Sequence, residues 1–201
     1  MNNLTKKQKT IRLVETAIMI ALSTILAEFT VIKFLYGGSV TIFSQVPMVV
    51  ISYRYGVKWG LFAGLSMGII QMLFGMENFS YVSGLSAYLI LILADYIVAF
   101  GCLGLGGMFR NVFGKNGVKG SIISLTLGGA VVSVIRFLCH FISGVTIWGD
   151  YSGGAKSVWM YSLTYNAGYM IPELIITVIG CVAIASIFNI SSQEIRVRKL
   201  K

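Results

Sequence analysis

The chain has 201 residues, of which 56% are hydrophobic and 11% charged, with 23 glycines and a net charge of +9 at pH 7. So much apolar surface does not fit inside one soluble core of this length, which makes lipid the expected solvent; the mean hydropathy of +0.83 agrees. The basic residues flank apolar runs and form no continuous basic face, which argues against a nucleic-acid protein.

In chain order, Lys6, Lys7, Lys9 and Arg12 precede an apolar run that predicts helix 1 over residues 13–32. At about 1.5 Å per residue it is long enough to cross a hydrocarbon core of about 30 Å. The run exceeds the apolar core of a signal peptide and has no small-residue cleavage site, so it is expected to stay attached. Lys33-Phe-Leu-Tyr-Gly-Gly-Ser39 breaks it. Helix 2, over 40–53, is short and carries Ser44, Gln45 and Pro47, so it is expected to border protein or an aqueous cavity more than lipid. Helices 3, 4 and 5 are expected over 59–74, 82–108 and 121–147, and helix 6 over 163–188. The connection from Trp148 to Met160 combines two Trp, one Tyr and a Gly pair, and reads either as an interfacial aromatic anchor or as a lid over a site opening outward. No internal repeat or low-complexity segment is present, so residues 1–201 read as a single membrane domain.

The charges set the topology. Lys6, Lys7, Lys9 and Arg12, then Arg54 and Lys58, then Arg110, Lys115 and Lys119, and finally Arg196, Arg198, Lys199 and Lys201 fall in every second connection. These are thirteen of the sixteen basic residues, and basic residues are retained on the cytoplasmic side of short loops. Six transmembrane helices with both termini cytoplasmic satisfy the pattern.

Cys102, Cys139 and Cys181 lie in apolar segments without CxxC spacing, which predicts buried free thiols. Ionisable residues inside spans are costly and are functional candidates: Glu15, Glu28, Asp95, Arg136, His140 and Glu173. Glu15 and Glu28 lie near the ends of helix 1, within reach of the interface, and read as structural more than functional. Arg136 and His140 are four apart and share a helix face. Two readings of Asp95 stand open: a structural ion pair with Arg136 that leaves His140 in the core, or a polar site in which Asp95 faces a cationic or amino-bearing ligand. On helix 6, Tyr161, Tyr165, Tyr169 and Glu173 follow at steps of four with Asn166 beside them, and Pro172 removes a backbone donor. Each tyrosine carries a hydroxyl into an apolar medium, which calls for a polar partner or ligand. With His140, Trp148 and Trp159 they suit a flat heteroaromatic molecule, including a cation. No G-x-x-x-x-G-K-[ST], HExxH or GxSxG occurs, so neither ATP hydrolysis nor an intramembrane enzyme is expected, and no metal or cofactor is implied.

Five ordered motifs carry a family resemblance: Tyr36-Gly-Gly-Ser-Val-Thr-Ile-Phe-Ser44, Tyr53-Arg-Tyr-Gly-Val-Lys-Trp-Gly60, Asp95-Tyr-Ile-Val-Ala-Phe-Gly101, Arg136-Phe-Leu-Cys-His-Phe-Ile-Ser-Gly144, and Tyr161-Ser-Leu-Thr-Tyr-Asn166 with Met170-Ile-Pro-Glu173. Together they resemble the thiamine-specific S component (ThiT) of energy-coupling factor (ECF) transporters, over nearly the whole chain. The resemblance implies a six-helix protein of the bacterial plasma membrane that captures thiamine on the outer face with high affinity. It implies a separate T component and two ATPase subunits as partners, in keeping with the missing ATP motif. It places Asp95, Tyr96, His140, Trp148, Tyr161 and Asn166 in the substrate pocket, with the carboxylate serving the charged ligand and the rings stacking on it. A Trp that some members contribute from the first connection is absent here, where Phe34, Leu35 or Tyr36 stands in its place. Small residues on helix 1 dock the T component in the family, and Ala17 and Ala21 provide that step here. The rival readings are an S component for another flat vitamin or precursor, and a stand-alone proton-coupled carrier using Asp95, Arg136 and His140 as a relay.

Overall fold

The computed structural model of the protein describes residues 5–114, 117–152, 157–190 and 196–197. Six helical segments make up the fold. They are α1 (Lys6–Glu28), α2 (Val46–Tyr55), α3 (Val57–Phe74), α4 (Leu85–Gly107), α5 (Gly117–Thr146) and α6 (Val158–Ile187). All but α2 are long and apolar enough to cross a bilayer. Nine of the ten α2 residues, from Val46 to Arg54, are buried, so protein surrounds this helix in place of lipid. Lys115, the Gly153–Lys156 part of the aromatic connection, and Arg198, Lys199 and Lys201 fall outside the described residues.

Several helix ends differ from the sequence expectation, α2 starting at Val46 in place of 40 and α6 at Val158 in place of 163, and two of the differences have a clear local reason. First, α1 starts at Lys6 because Thr5 and Gln8 form a capping box, in which the Thr5 hydroxyl accepts from the Gln8 amide and Gln8 Oε1 accepts from the Thr5 amide. It also stops at Glu28. Second, residues 30–41 form a hairpin: β1 (Thr30–Lys33) pairs antiparallel with β2 (Ser39–Thr41) through Thr30↔Thr41, Ile32↔Val40 and Lys33↔Ser39. The β-branched residues Thr30, Val31 and Ile32 on one side and Val40 and Thr41 on the other favour extended backbone. The turn between them needs the left-handed region, which Gly37 takes at φ 93° and Tyr36 at φ 63°.

Close backbone contacts fix the middle of the bundle. A side chain at Gly104 of α4 would collide with the Gly60–Leu61 backbone of α3, and one at Gly128 of α5 with the Gly106 carbonyl. Between these helices lies a core that includes Met48, Ile51, Tyr53, Met67, Leu103 and Leu125. The outward faces keep large apolar side chains exposed, as Leu13, Val14, Ile18, Leu22 and Ile25 do on α1, which suits lipid as the outer solvent.

Glu15 has a structural partner, as its place near a helix end suggested. Its carboxylate takes Arg54 Nε and Nη2 at 2.9 and 3.0 Å and also accepts from the Tyr55 hydroxyl, while Arg54 Nη1 reaches the Ile190 carbonyl at 3.0 Å. Arg110 Nη1 donates to the Arg54 carbonyl at 2.6 Å. These contacts gather the basic end of the bundle around one bidentate pair.

Candidate functional site

A cavity of about 250 Å³ opens at the end of the bundle opposite the Glu15–Arg54 cluster, enclosed by the hairpin and by α3 to α6. Its wall includes all six residues expected in the pocket: Asp95, Tyr96, His140, Trp148, Tyr161 and Asn166.

Asp95 and Tyr96 sit where α4 widens into a π-helical stretch, Leu91–Val98. The extra residue per turn shifts the side chains relative to a regular helix, a device often found at functional positions. Asp95 Oδ1 lies 2.9 Å from His140 Nδ1, and Oδ2 accepts from Ser143 Oγ at 2.6 Å and Trp148 Nε1 at 3.3 Å. One carboxylate thus holds an imidazole and an indole in place. His140 Nε2 is buried without a partner.

Of the two readings of Asp95, the structural ion pair with Arg136 is not formed. The Arg136 guanidinium carbon instead lies 4.4 Å above the centre of the Phe100 ring, one turn deeper on α5 than His140.

Tyr96 directs its hydroxyl to the Gly75 carbonyl at 2.9 Å and accepts from Asn78 Nδ2 at 2.9 Å. Its ring stacks on Phe79 at 6.3 Å with 9° between planes. Asn166 braces α5 against α6: its Nδ2 donates to the His140 and Ser162 carbonyls at 3.3 and 2.8 Å, and its Oδ1 accepts from the Tyr169 hydroxyl at 2.6 Å. The Tyr161 and Tyr165 rings stack at 5.8 Å. Trp159 does not join them. It is 63% exposed on the first turn of α6, with its ring 5.7 Å from that of Phe141.

Several residues of the site lie outside the six expected in the pocket, and of these Tyr81 and Ser143 were not singled out by sequence reasoning. At the mouth, Tyr36, Tyr81 and Tyr151 surround Trp148, with ring centres 4.6 to 6.3 Å apart. Tyr36, which lines the cavity, is therefore the first-connection ring that faces Trp148. Deeper, Glu173 is 2% exposed and accepts from the Thr41 amide, the Thr41 hydroxyl at 2.5 Å and Gln45 Nε2 at 2.9 Å, which ties the hairpin to α6. Its place in the tyrosine line at steps of four was the available signal. Ser143 gave no such signal, since one hydroxyl in an apolar helix is unremarkable until its partner is known.

Membrane-length helices around a polar cavity lined with rings are the features of a membrane transport protein. The comparisons agree. The family model described as Thiamine transporter protein (Thia_YuaJ) matches residues 13–193, and the chain belongs to that family, whose members are transport proteins and not enzymes. Two relatives are each described as thiamine transporter ThiT. The one from Bacillus subtilis (strain 168) is 36% identical over 180 residues, which is 87% of this chain and 90% of that protein. The one from Lacticaseibacillus paracasei is 29% identical over 143 residues, 68% of each chain. A solved structure of ThiT from Listeria monocytogenes superposes with a TM-score of 0.72 at 24% identity, over 88% of this chain and 94% of that one, and shares the all-helical membrane fold.

Proposed function

We propose that this chain binds thiamine in the ring-lined cavity and serves as the high-affinity capture subunit of an ECF-type importer. The observation that carries the reading is the Asp95 carboxylate inside the cavity, with an imidazole and an indole fastened to it. A thiazolium is a permanent cation and an aminopyrimidine is flat with polar edges, so a carboxylate, stacking rings and amide edges complement both halves of thiamine. In this reading Asp95 supplies the counter-charge, Trp148 and His140 present ring faces, Tyr161 lines the opposite wall, and Tyr96 and Asn166 fix the wall through their own hydrogen bonds.

The orientation follows from the basic residues that fall in every second connection of the sequence, of which Arg12, Arg54 and Arg110 lie at the end away from the cavity. Both termini lie in the cytoplasm and the mouth opens outward across the plasma membrane. Residues 1–201 act as one membrane domain. Uptake then needs an energy source outside this chain, since the sequence carries no ATP motif. Ala17 and Ala21, both exposed on α1, offer a flat strip to a T component that works with two ATPase subunits. A proton relay through Asp95, His140 and Arg136 gains no support, because Arg136 stacks on Phe100 and does not contact the other two.

Direct titration of the purified chain with thiamine tests the reading. Saturable one-to-one binding with a change in tryptophan fluorescence is expected. Absence of binding in folded protein would refute it, and uptake by the chain alone in vesicles without ATPase subunits would replace the importer reading with a stand-alone carrier.

A further inference from the structure

Three ionisable side chains line the cavity away from its solvent-facing rim: Asp95, Glu173 and Arg136. Each carboxylate accepts from three donors, Asp95 from His140, Ser143 and Trp148, and Glu173 twice from Thr41 and once from Gln45. Such donor sets match ionised carboxylates. Arg136 is always charged, yet among the described residues it forms no ion pair; its Nε is buried without an acceptor and its guanidinium rests on the Phe100 ring. Glu28, Lys33 and Glu77 also line the wall but are exposed at the rim, where solvent and salt screen them. Apart from His140, the interior of the cavity therefore sets two carboxylates against one guanidinium.

We propose that Arg136 is a specificity-determining residue that offsets one of the two carboxylates, so that the site takes a ligand with a single positive charge. A neutral ligand leaves the cavity negative, and a doubly charged one leaves it positive. Both leave an uncompensated charge in a medium of low dielectric, where it is costly. Arg136 has no direct partner to hold in place, and what it contributes is its charge at a distance. The inference rests on the thiamine reading, since thiamine carries one fixed charge on its thiazolium, and it adds the reason why the charge number matters.

Three ligands of nearly one shape test it on the full-length protein in detergent by titration calorimetry. These are thiamine, its neutral deaza analogue with thiophene in place of thiazolium, and thiamine methylated on a pyrimidine nitrogen, which carries two fixed charges. Wild type is expected to prefer thiamine to both. Arg136→Gln should shift the affinity ratio at least about tenfold toward the doubly charged ligand, the size expected for one charge at about 10 Å in a partly screened interior. Glu173→Gln should shift the ratio toward the neutral analogue, in the opposite direction, and Arg136→Lys should keep the wild-type order. The Glu173 and Lys variants carry the test on their own where Arg136→Gln yields no folded protein. Ratios that stay constant across the variants while all affinities fall together would reduce Arg136 to a structural residue and overturn the proposal. Failure of wild type to bind thiamine at all would overturn the thiamine reading itself, whereas tight thiamine binding with no preference over the neutral analogue would overturn only the charge rule.

Discussion

Replacing Asp95 by Asn keeps the shape of the side chain and removes its charge, and the structure allows the consequence to be worked through. The carboxylate has about four acceptor sites, of which His140, Ser143 and Trp148 occupy three. One remains for a ligand. Losing a charge-assisted hydrogen bond to that ligand costs about 1.5–3 kcal/mol, or roughly ten- to 150-fold in affinity. Asn adds a second cost. Its amide nitrogen must face either the imidazole or the Ser143 and Trp148 donors; the first is relieved by a change of tautomer at His140, and the second places donor against donor. The expected result is therefore a folded variant with weaker thiamine binding, read by calorimetry alongside a thermal melt. Wild-type affinity in a well-folded Asp95→Asn protein would refute the ligand role. Loss of folded protein, with unchanged affinity in what survives, would make Asp95 a purely structural anchor for His140 and Trp148.

Other perturbations probe separate parts of the molecule. Trp148→Phe should remove most of the thiamine-induced fluorescence change, because Trp59 is held by Thr16 and Arg12 at the far end of the bundle and Trp159 points outward; a full signal in that variant would contradict the assignment. Ala17→Trp and Ala21→Trp should leave binding near normal, since Ala17 lies about 15 Å along α1 from the cavity-lining Ala27. They should also abolish thiamine uptake in cells carrying the partner subunits, and full uptake with both present would remove α1 from the docking surface. Glu15→Gln should lower stability by about 3 kcal/mol, read as a drop in Tm in detergent, because it withdraws the charge that pairs with a guanidinium only 3% exposed. An unchanged Tm would show that the pair is dispensable.

The long helices were legible because lipid imposes one simple requirement, an apolar run long enough to span it, and the positive charges mark one end of each run. The hairpin at residues 30–41 was not, since Thr30 to Ile32 is as apolar as the helix before it; only the β-branched residues either side of the Gly pair distinguish the two. The six pocket residues were named because motif order carries them, whereas the partners that orient them depend on tertiary contacts between elements far apart in sequence. Asp95 and Ser143 are 48 positions apart, and Glu173 and Thr41 are 132 apart. The outward turn of Trp159 and the stacking of Arg136 on Phe100 are rotational details of single helices, and composition does not determine them.

The site and the closure of the cavity share components. Trp148 is fastened to Asp95 on one edge and packed among Tyr36, Tyr81 and Tyr151 on the other, so the ring expected to touch the ligand also belongs to the cluster at the mouth. Tyr36 holds its place there in a left-handed conformation that a side-chain-bearing residue adopts only at a cost of about 1–3 kcal/mol. Glu173 offsets part of that cost by fixing the far strand of the same hairpin at Thr41. Removing a carboxylate from either α4 or α6 therefore has two consequences at once, a changed charge inside the cavity and a loosened wall, and only assays that vary the ligand as well as the protein can separate them.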